Sequence, residues 1–302
     1  MRATLKTHIH SLLGIIAIGC IGYFLYRNPG ALYLFSKVPV EIIFLICILH
    51  LTAQFIQAFL GWFLINSGGA HISFRQYYWV NAFSMLCNYL PFQGSMVVRG
   101  SLLSTKYNIT AELYLALIAF TFLLSQSLYS LVGSLTVLLY GLSPAMFLLL
   151  LSISILSLSP LFSFSKVILP KFLKNKLQNL TFMRLVNKSV IIPFSLVILV
   201  GFLLLSIRYF LLLKSLHYNV NLHTCFILAC ASGLSLLMRV TPAGLGIREG
   251  LTALFAYGIN FDVTVSVLVV IVDRIISLLV IIPTGLMGWY KLKSENEQVI
   301  IE

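Results

Sequence analysis

Met238–Gly250 reads MRVTPAGLGIREG: one proline, three glycines and three charges set between the apolar runs Cys225–Leu237 and Leu251–Tyr257. An α-helix does not pass undisturbed through Pro242, Gly244 and Gly246. In water such a stretch is an ordinary loop. At membrane depth it is a broken helix, because free backbone there must be buried in protein or line a cavity. The fold therefore turns on where this stretch lies.

Its surroundings answer. The 302-residue chain is 60% hydrophobic and 9% charged, with a mean hydropathy of +1.01, the composition of a polytopic membrane protein. Several runs approach the ~20 apolar residues a spanning helix needs, and no polar block is long enough for a separate soluble domain. Residues 1–302 are expected to form a single membrane domain. The net charge of +12 does not point to nucleic acid, since the basic residues sit in short loops between apolar runs. Cys20, Cys47, Cys87, Cys225 and Cys230 all lie in apolar segments without C-x-x-C spacing, as buried small hydrophobes do. No metal site or cofactor is expected.

Six spans follow, at about Ser11–Tyr26, Pro39–Ile65, Ala111–Tyr140, Ala145–Phe164, Val190–Leu213 and Val263–Tyr290. Two segments are too interrupted to cross. One is Phe74–Leu90, running through Pro91-Phe92-Gln93-Gly94-Ser95 to about Ser104; the other covers about Asn221–Tyr257. Both are read as re-entrant, broken-helix hairpins. With the N-terminus inside, twelve basic residues fall on the cytoplasmic side: Arg2, Lys6, Arg75, Lys106, Lys166, Lys171, Lys174, Lys176, Arg184, Lys188, Lys291 and Lys293. Arg27, Lys37 and Lys214 fall outside. That bias fits the cytoplasmic membrane with both termini cytoplasmic.

A shift of 151 residues lays Pro91 on Pro242, Phe59 on Phe210 and Asn81 on Ser232. Each half then reads span, broken hairpin, span: about 39–140 and about 190–290. Residues 1–38 hold the first span and its loop, and 141–189 the fourth span and a basic cytoplasmic loop. Three spans separate equivalent points, and an odd number inverts the second half. Inverted repeats whose discontinuous helices meet at the midplane are a transporter architecture, with the substrate site at the repeat interface. The expected fold is thus all-α and polytopic, with about six spanning helices and two re-entrant hairpins in an inverted repeat.

Five arginines lie in the embedded segments, Arg99, Arg208, Arg239, Arg248 and Arg274, against Glu249 and Asp273, with Glu112 near a helix end. Each cation costs roughly 2.5–3.5 kcal/mol at a helix centre. Arg208 and Arg239 are expected nearer an interface, where they would snorkel. The surplus of positive charge suits an anionic headgroup, and a guanidinium fork matches phosphate. Helix starts beyond Gly94 and Gly246 would add amide donors. The alternative is an internal ion-pair network of Arg248, Glu249, Asp273 and Arg274 that holds the halves together.

Pro242-Ala243-Gly244-Leu245-Gly246-Ile247-Arg248-Glu249-Gly250 resembles the P-x-G-x-G-x-R-E-G signature of the lysylphosphatidylglycerol synthase transmembrane-region family, the flippase-like domain family. Asn88-Tyr89-Leu90-Pro91-Phe92-Gln93-Gly94-Ser95 with Arg99 resembles its first-half motif, and Asp273-Arg274 its late intramembrane arginine. The resemblance implies a module that translocates polar lipids, here without the aminoacyl-transfer domain of bifunctional members. On that basis Arg99, Arg248, Arg274, Glu249, Asp273, Asn88, Gly94 and Ser95 are the candidate substrate-binding residues. Pro91, Pro242, Gly244 and Gly246 are the helix breakers.

The expected function is a flippase-like carrier for an anionic or glycosylated lipid. The alternatives are a membrane enzyme of lipid-linked glycan or aminoacyl-lipid metabolism, or a non-catalytic partner of a lipid- or glycan-synthesising enzyme. No paired-acid, H-E-x-x-H or D-x-D motif supports catalysis, and no catalytic residue is assigned.

Overall fold

The computed structural model of the protein describes residues 26, 29, 33, 36–89, 94–166, 188–235, 244 and 246–298. The expected first span, Pro91, Pro242, Arg239 and nearly all of the basic loop lie outside these residues. Regular structure among the described residues is entirely helical. Among the described residues four helices are long and apolar enough to cross a membrane: α1 (Val40–Ser67), α4 (Ala111–Leu139), α6 (Lys188–Ser215) and α9 (Val263–Gln298). With α5 (Pro144–Lys166) packed along α4, they make an all-α polytopic membrane protein.

Between the long helices lie short ones. α2 (Phe74–Leu86) and a single 3-10 turn, Cys87–Tyr89, precede α3 (Gly94–Tyr107). In the second half α7 (Leu222–Leu234) precedes α8 (Ile247–Gly258). At 12 to 14 residues each arm is about 20 Å long, well short of the ~30 Å hydrocarbon core.

Local chemistry sets several boundaries. Ser73 and Gln76 form a reciprocal capping box at the start of α2, Gln76 N donating to Ser73 Oγ and Ser73 N to Gln76 Oε1. Thr110 Oγ1 accepts from Leu113 N to start α4. Pro193 and Pro283 stay inside helices that continue past them. The last helix runs beyond the expected Tyr290 to Gln298, because Lys291-Leu292-Lys293-Ser294-Glu295-Asn296-Glu297-Gln298 is rich in good helix formers.

The repeat is visible in the order long, short, short, long, with α1–α4 answering to α6–α9. It also extends to packing. Among the described residues the pairings α1·α2, α2·α3, α3·α4, α1·α4, α1·α9 and α2·α9 each have a counterpart. These are α6·α7, α7·α8, α8·α9, α6·α9, α4·α6 and α4·α7. The first hairpin arm thus rests on the last helix of the other half, and the reverse, while α1 meets α6.

One uniform shift is corrected by the turns. Gly69 and His217, 148 residues apart, both take a left-handed conformation after α1 and α6; Asn108 and Asn260, 152 apart, do so after α3 and α8. The break between α7 and α8 is simply longer than the one between α2 and α3, so an ungapped 151-residue alignment splits the difference.

Two apolar clusters mark the ends of the bundle. One gathers Val38, Leu142, Val220, Ile259 and Phe261; the other gathers Ile65, Ile72, Ile109, Val190 and Leu292. The α1–α2 and α3–α4 connections therefore lie at one end, and the α6–α7 and α8–α9 connections at the other. Tyr140 stacks on His223 at 4.2 Å at the first end, and Lys106 donates to the Leu292 carbonyl at the second.

Candidate functional site

The centre of the site is Asp273, inside α9 and 1% exposed. An unpaired carboxylate so placed would be costly, and the neighbouring helices supply its partners. Arg208 of α6 reaches both oxygens, Nε to Oδ1 at 3.0 Å and Nη2 to Oδ2 at 3.4 Å. Arg248 of α8 donates from Nη2 to Oδ2 at 3.4 Å. His50 of α1 lies at 3.2 Å from Oδ1; since a carboxylate only accepts, that contact places the imidazole hydrogen on Nε2. Four helices meet on one carboxyl group.

Arg248 also donates to the Tyr209 hydroxyl. That hydroxyl also shares a 2.7 Å hydrogen bond with Ser232 Oγ on α7, in which either hydroxyl can donate. The second arm of the hairpin is thereby tied to the first through α6. Arg248 retains 19% side-chain exposure, and its Nε is buried without a hydrogen-bond partner.

Arg274, the next residue on α9, serves the break itself. Its Nη2 donates to the Gly244 carbonyl at 3.2 Å, and its Nη1 lies 3.3 Å from Glu249 Oε1. That last contact has ion-pair distance but not hydrogen-bond alignment, since both atoms are otherwise unpartnered; we treat it as an electrostatic contact. Glu249 Oε2 accepts from the Gly246 amide at 2.9 Å, closing the first turn of α8. Gly244 and Gly246 take φ of 69° and 82°, a left-handed backbone that glycine enters without a Cβ clash.

The first-half residues sit apart from this cluster. Ser95 Oγ donates to Asn88 Oδ1 at 3.2 Å, stitching the start of α3 to the 3-10 turn that follows α2. Arg99 donates from Nε to Ser84 Oγ at 2.9 Å, and no acidic partner stands against it among the described residues. Gly94 is buried at the first residue of α3. Tyr89, just before the first break, lies within electrostatic reach of Arg274 and beside Ser277, so α9 also runs near the end of the first hairpin's first arm.

Of the candidates, Arg248, Glu249, Asp273 and Arg274 come together, as the ion-pair alternative requires. Arg99, Asn88, Ser95 and Gly94 form a second group. Arg208 is corrected: it does not snorkel to an interface but is buried against Asp273, because a bidentate acid partner is nearer than water. Tyr209, Ser232 and His50 join the site without a motif to mark them: Ser232 and His50 stand in apolar runs, and Tyr209 is overshadowed by its neighbour Arg208. Among the described residues no group of three or more His, Cys, Asp and Glu is placed to hold a metal.

The family model described as Lysylphosphatidylglycerol synthase TM region matches residues 11–285. A comparison with curated proteins gives no match.

Proposed function

Because the chain belongs to the lysylphosphatidylglycerol synthase transmembrane-region family, we propose that it translocates an anionic or glycosylated polar lipid across the cytoplasmic membrane. The observation that carries this is the charge of the embedded site. Among the described residues, Arg208, Arg248 and Arg274 share only Asp273 and Glu249, and Arg99 has no acid against it. A phosphate-bearing headgroup brings the missing negative charge, and guanidinium groups grip it in a fork. In this reading the two hairpins are re-entrant and inverted, opening to opposite faces, and the headgroup passes between their tips with Arg99 on one and Arg248 on the other.

The two embedded carboxylates each face an arginine, which favours a binding role over a general-base role. The test is reconstitution of the purified chain in phosphatidylcholine vesicles carrying acyl-labelled phosphatidylglycerol. Faster transbilayer equilibration than in protein-free vesicles is expected, with Arg99→Ala and Arg248→Ala both slowed. Equilibration at the protein-free rate for phosphatidylglycerol, phosphatidic acid and a glycosylated phospholipid alike would sink the proposal.

A further inference from the structure

Asp273 is held unequally by its two arginines. Arg208 engages both carboxylate oxygens and comes to 3.0 Å; it belongs to an unbroken helix of 28 residues and is 8% exposed. Arg248 offers one nitrogen at 3.4 Å, and its Nε has no partner. Arg248 is also the second residue of α8, directly after the left-handed Gly246, and the more exposed of the two at 19%. His50 adds a further hold on Oδ1, the oxygen Arg208 Nε also takes. Oδ2 is therefore where the carboxylate is shared, and Arg248 is the partner held there by a single bond.

We infer that Asp273 is the built-in counter-ion of the headgroup site, fixed by Arg208 and His50, and that Arg248 leaves it for the phosphate of an arriving lipid. The inference rests on the proposed lipid-binding role of this site and adds how the empty site is kept stable. Without a substrate, an arginine at this depth is stabilised by a neighbouring anion. Asp273 Oδ2 provides one, and a phosphodiester, which offers two oxygens to the guanidinium fork, competes with a single 3.4 Å contact. Arg208 is then a positioning residue: it holds Asp273 in place and prevents the carboxylate from following Arg248. Tyr209 gives Arg248 a second neutral partner, so the guanidinium is not stranded in transit. The other charged groups at the centre, Glu249 and Arg274, face one another and are not needed for the exchange.

The experiment is a binding titration of the full chain in phosphatidylcholine nanodiscs with acyl-labelled phosphatidylglycerol. Asp273→Asn leaves Arg248 without its internal anion and is expected to tighten binding about tenfold, within the usual span of coupling between two ligands of one site. Adding Arg248→Gln to that variant is expected to abolish the gain. Should Asp273→Asn fail to fold, Arg208→Gln with Asp273→Asn removes a cation and an anion together, and the same tightening is expected.

Unchanged or weaker binding in whichever of these variants elutes like the parent overturns the inference. So does a gain that survives Arg248→Gln. Inorganic phosphate is titrated in parallel: competition at concentrations comparable to the lipid would assign the site to a soluble anion and overturn the lipid exchange. Binding without transbilayer movement would refute transport and leave the counter-ion standing. Transbilayer movement with no change of affinity in Asp273→Asn would do the reverse.

Discussion

Arg208 and Asp273, 65 residues apart, form a bidentate ion pair inside the bundle, with Nε 3.0 Å from Oδ1. The pair joins the first and last helices of the second half, and His50 draws in the first helix of the other half. Replacing one partner of such a pair leaves a buried charge alone, which costs about 3–5 kcal/mol. Arg208→Ala is thus expected to lower the detergent unfolding midpoint strongly. Arg208→Lys, which keeps the charge without the fork, is expected to fall between parent and Ala. Equal midpoints for Ala and parent, read by fluorescence-detected size exclusion after heating, would count against the pair as a structural element.

The two crossings of the halves rest on glycine. A Cβ on Gly133 of α4 would come 2.7 Å from Cys230 Sγ on α7. Its counterpart Gly285 on α9, 152 residues on, would meet Leu86 Cβ on α2 at 2.8 Å. One turn further, Gly288 would meet the backbone of α2, Trp79 O at 2.9 Å and Phe83 N at 3.1 Å. Small residues let membrane helices approach at this distance, and overpacking costs about 1–3 kcal/mol. Gly133→Ala is expected to destabilise and to be rescued by Cys230→Ala, which removes the offending sulfur. Gly288→Ala has no side chain to trim against it, so it is expected to be the more damaging of the two. A thermal ranking in the opposite order would refute the close approach of α2 and α9.

Arg99 is where the proposed function and stability are expected to separate. It has Ser84 as a partner and no acid among the described residues, so Arg99→Gln leaves no buried carboxylate behind. Its unfolding midpoint is expected to stay within the range of ordinary surface changes, about 0.5 kcal/mol, while lipid movement slows at least several-fold. A variant that unfolds as readily as Arg208→Ala would show Arg99 to be structural.

Much of this architecture was legible because it is written in coarse signals. Apolar runs gave α1, α4, α6 and α9, and the interruptions around Asn88–Ser95 and Met238–Gly250 marked the pairs of short helices. The clustering of Arg248, Glu249, Asp273 and Arg274 could be posed as an alternative from charge alone. Arg208 could not be placed, since its burial depends on Asp273, 65 residues on and beyond the second break, and sequence distance carries no trace of that contact. The exact repeat offset was hidden for a similar reason. Letters such as Pro91 and Pro242 align at one shift, while the backbone turns at Gly69/His217 and Asn108/Asn260 need two. The extra residues fall in the break before α8.

The connection that holds His71, between α1 and α2, lies at the opposite end of the bundle from the one that holds Asn219, between α6 and α7, and both residues are exposed. On the positive-inside expectation the first of these connections is cytoplasmic. His71→Cys and Asn219→Cys, each in a background with the five native cysteines replaced, are expected to label from opposite faces with a membrane-impermeant maleimide. In intact cells Asn219→Cys should react and His71→Cys should not, and the order should reverse in inside-out vesicles. Labelling of both from the same face would place the two hairpins on one side, which removes the inversion on which passage between their tips depends.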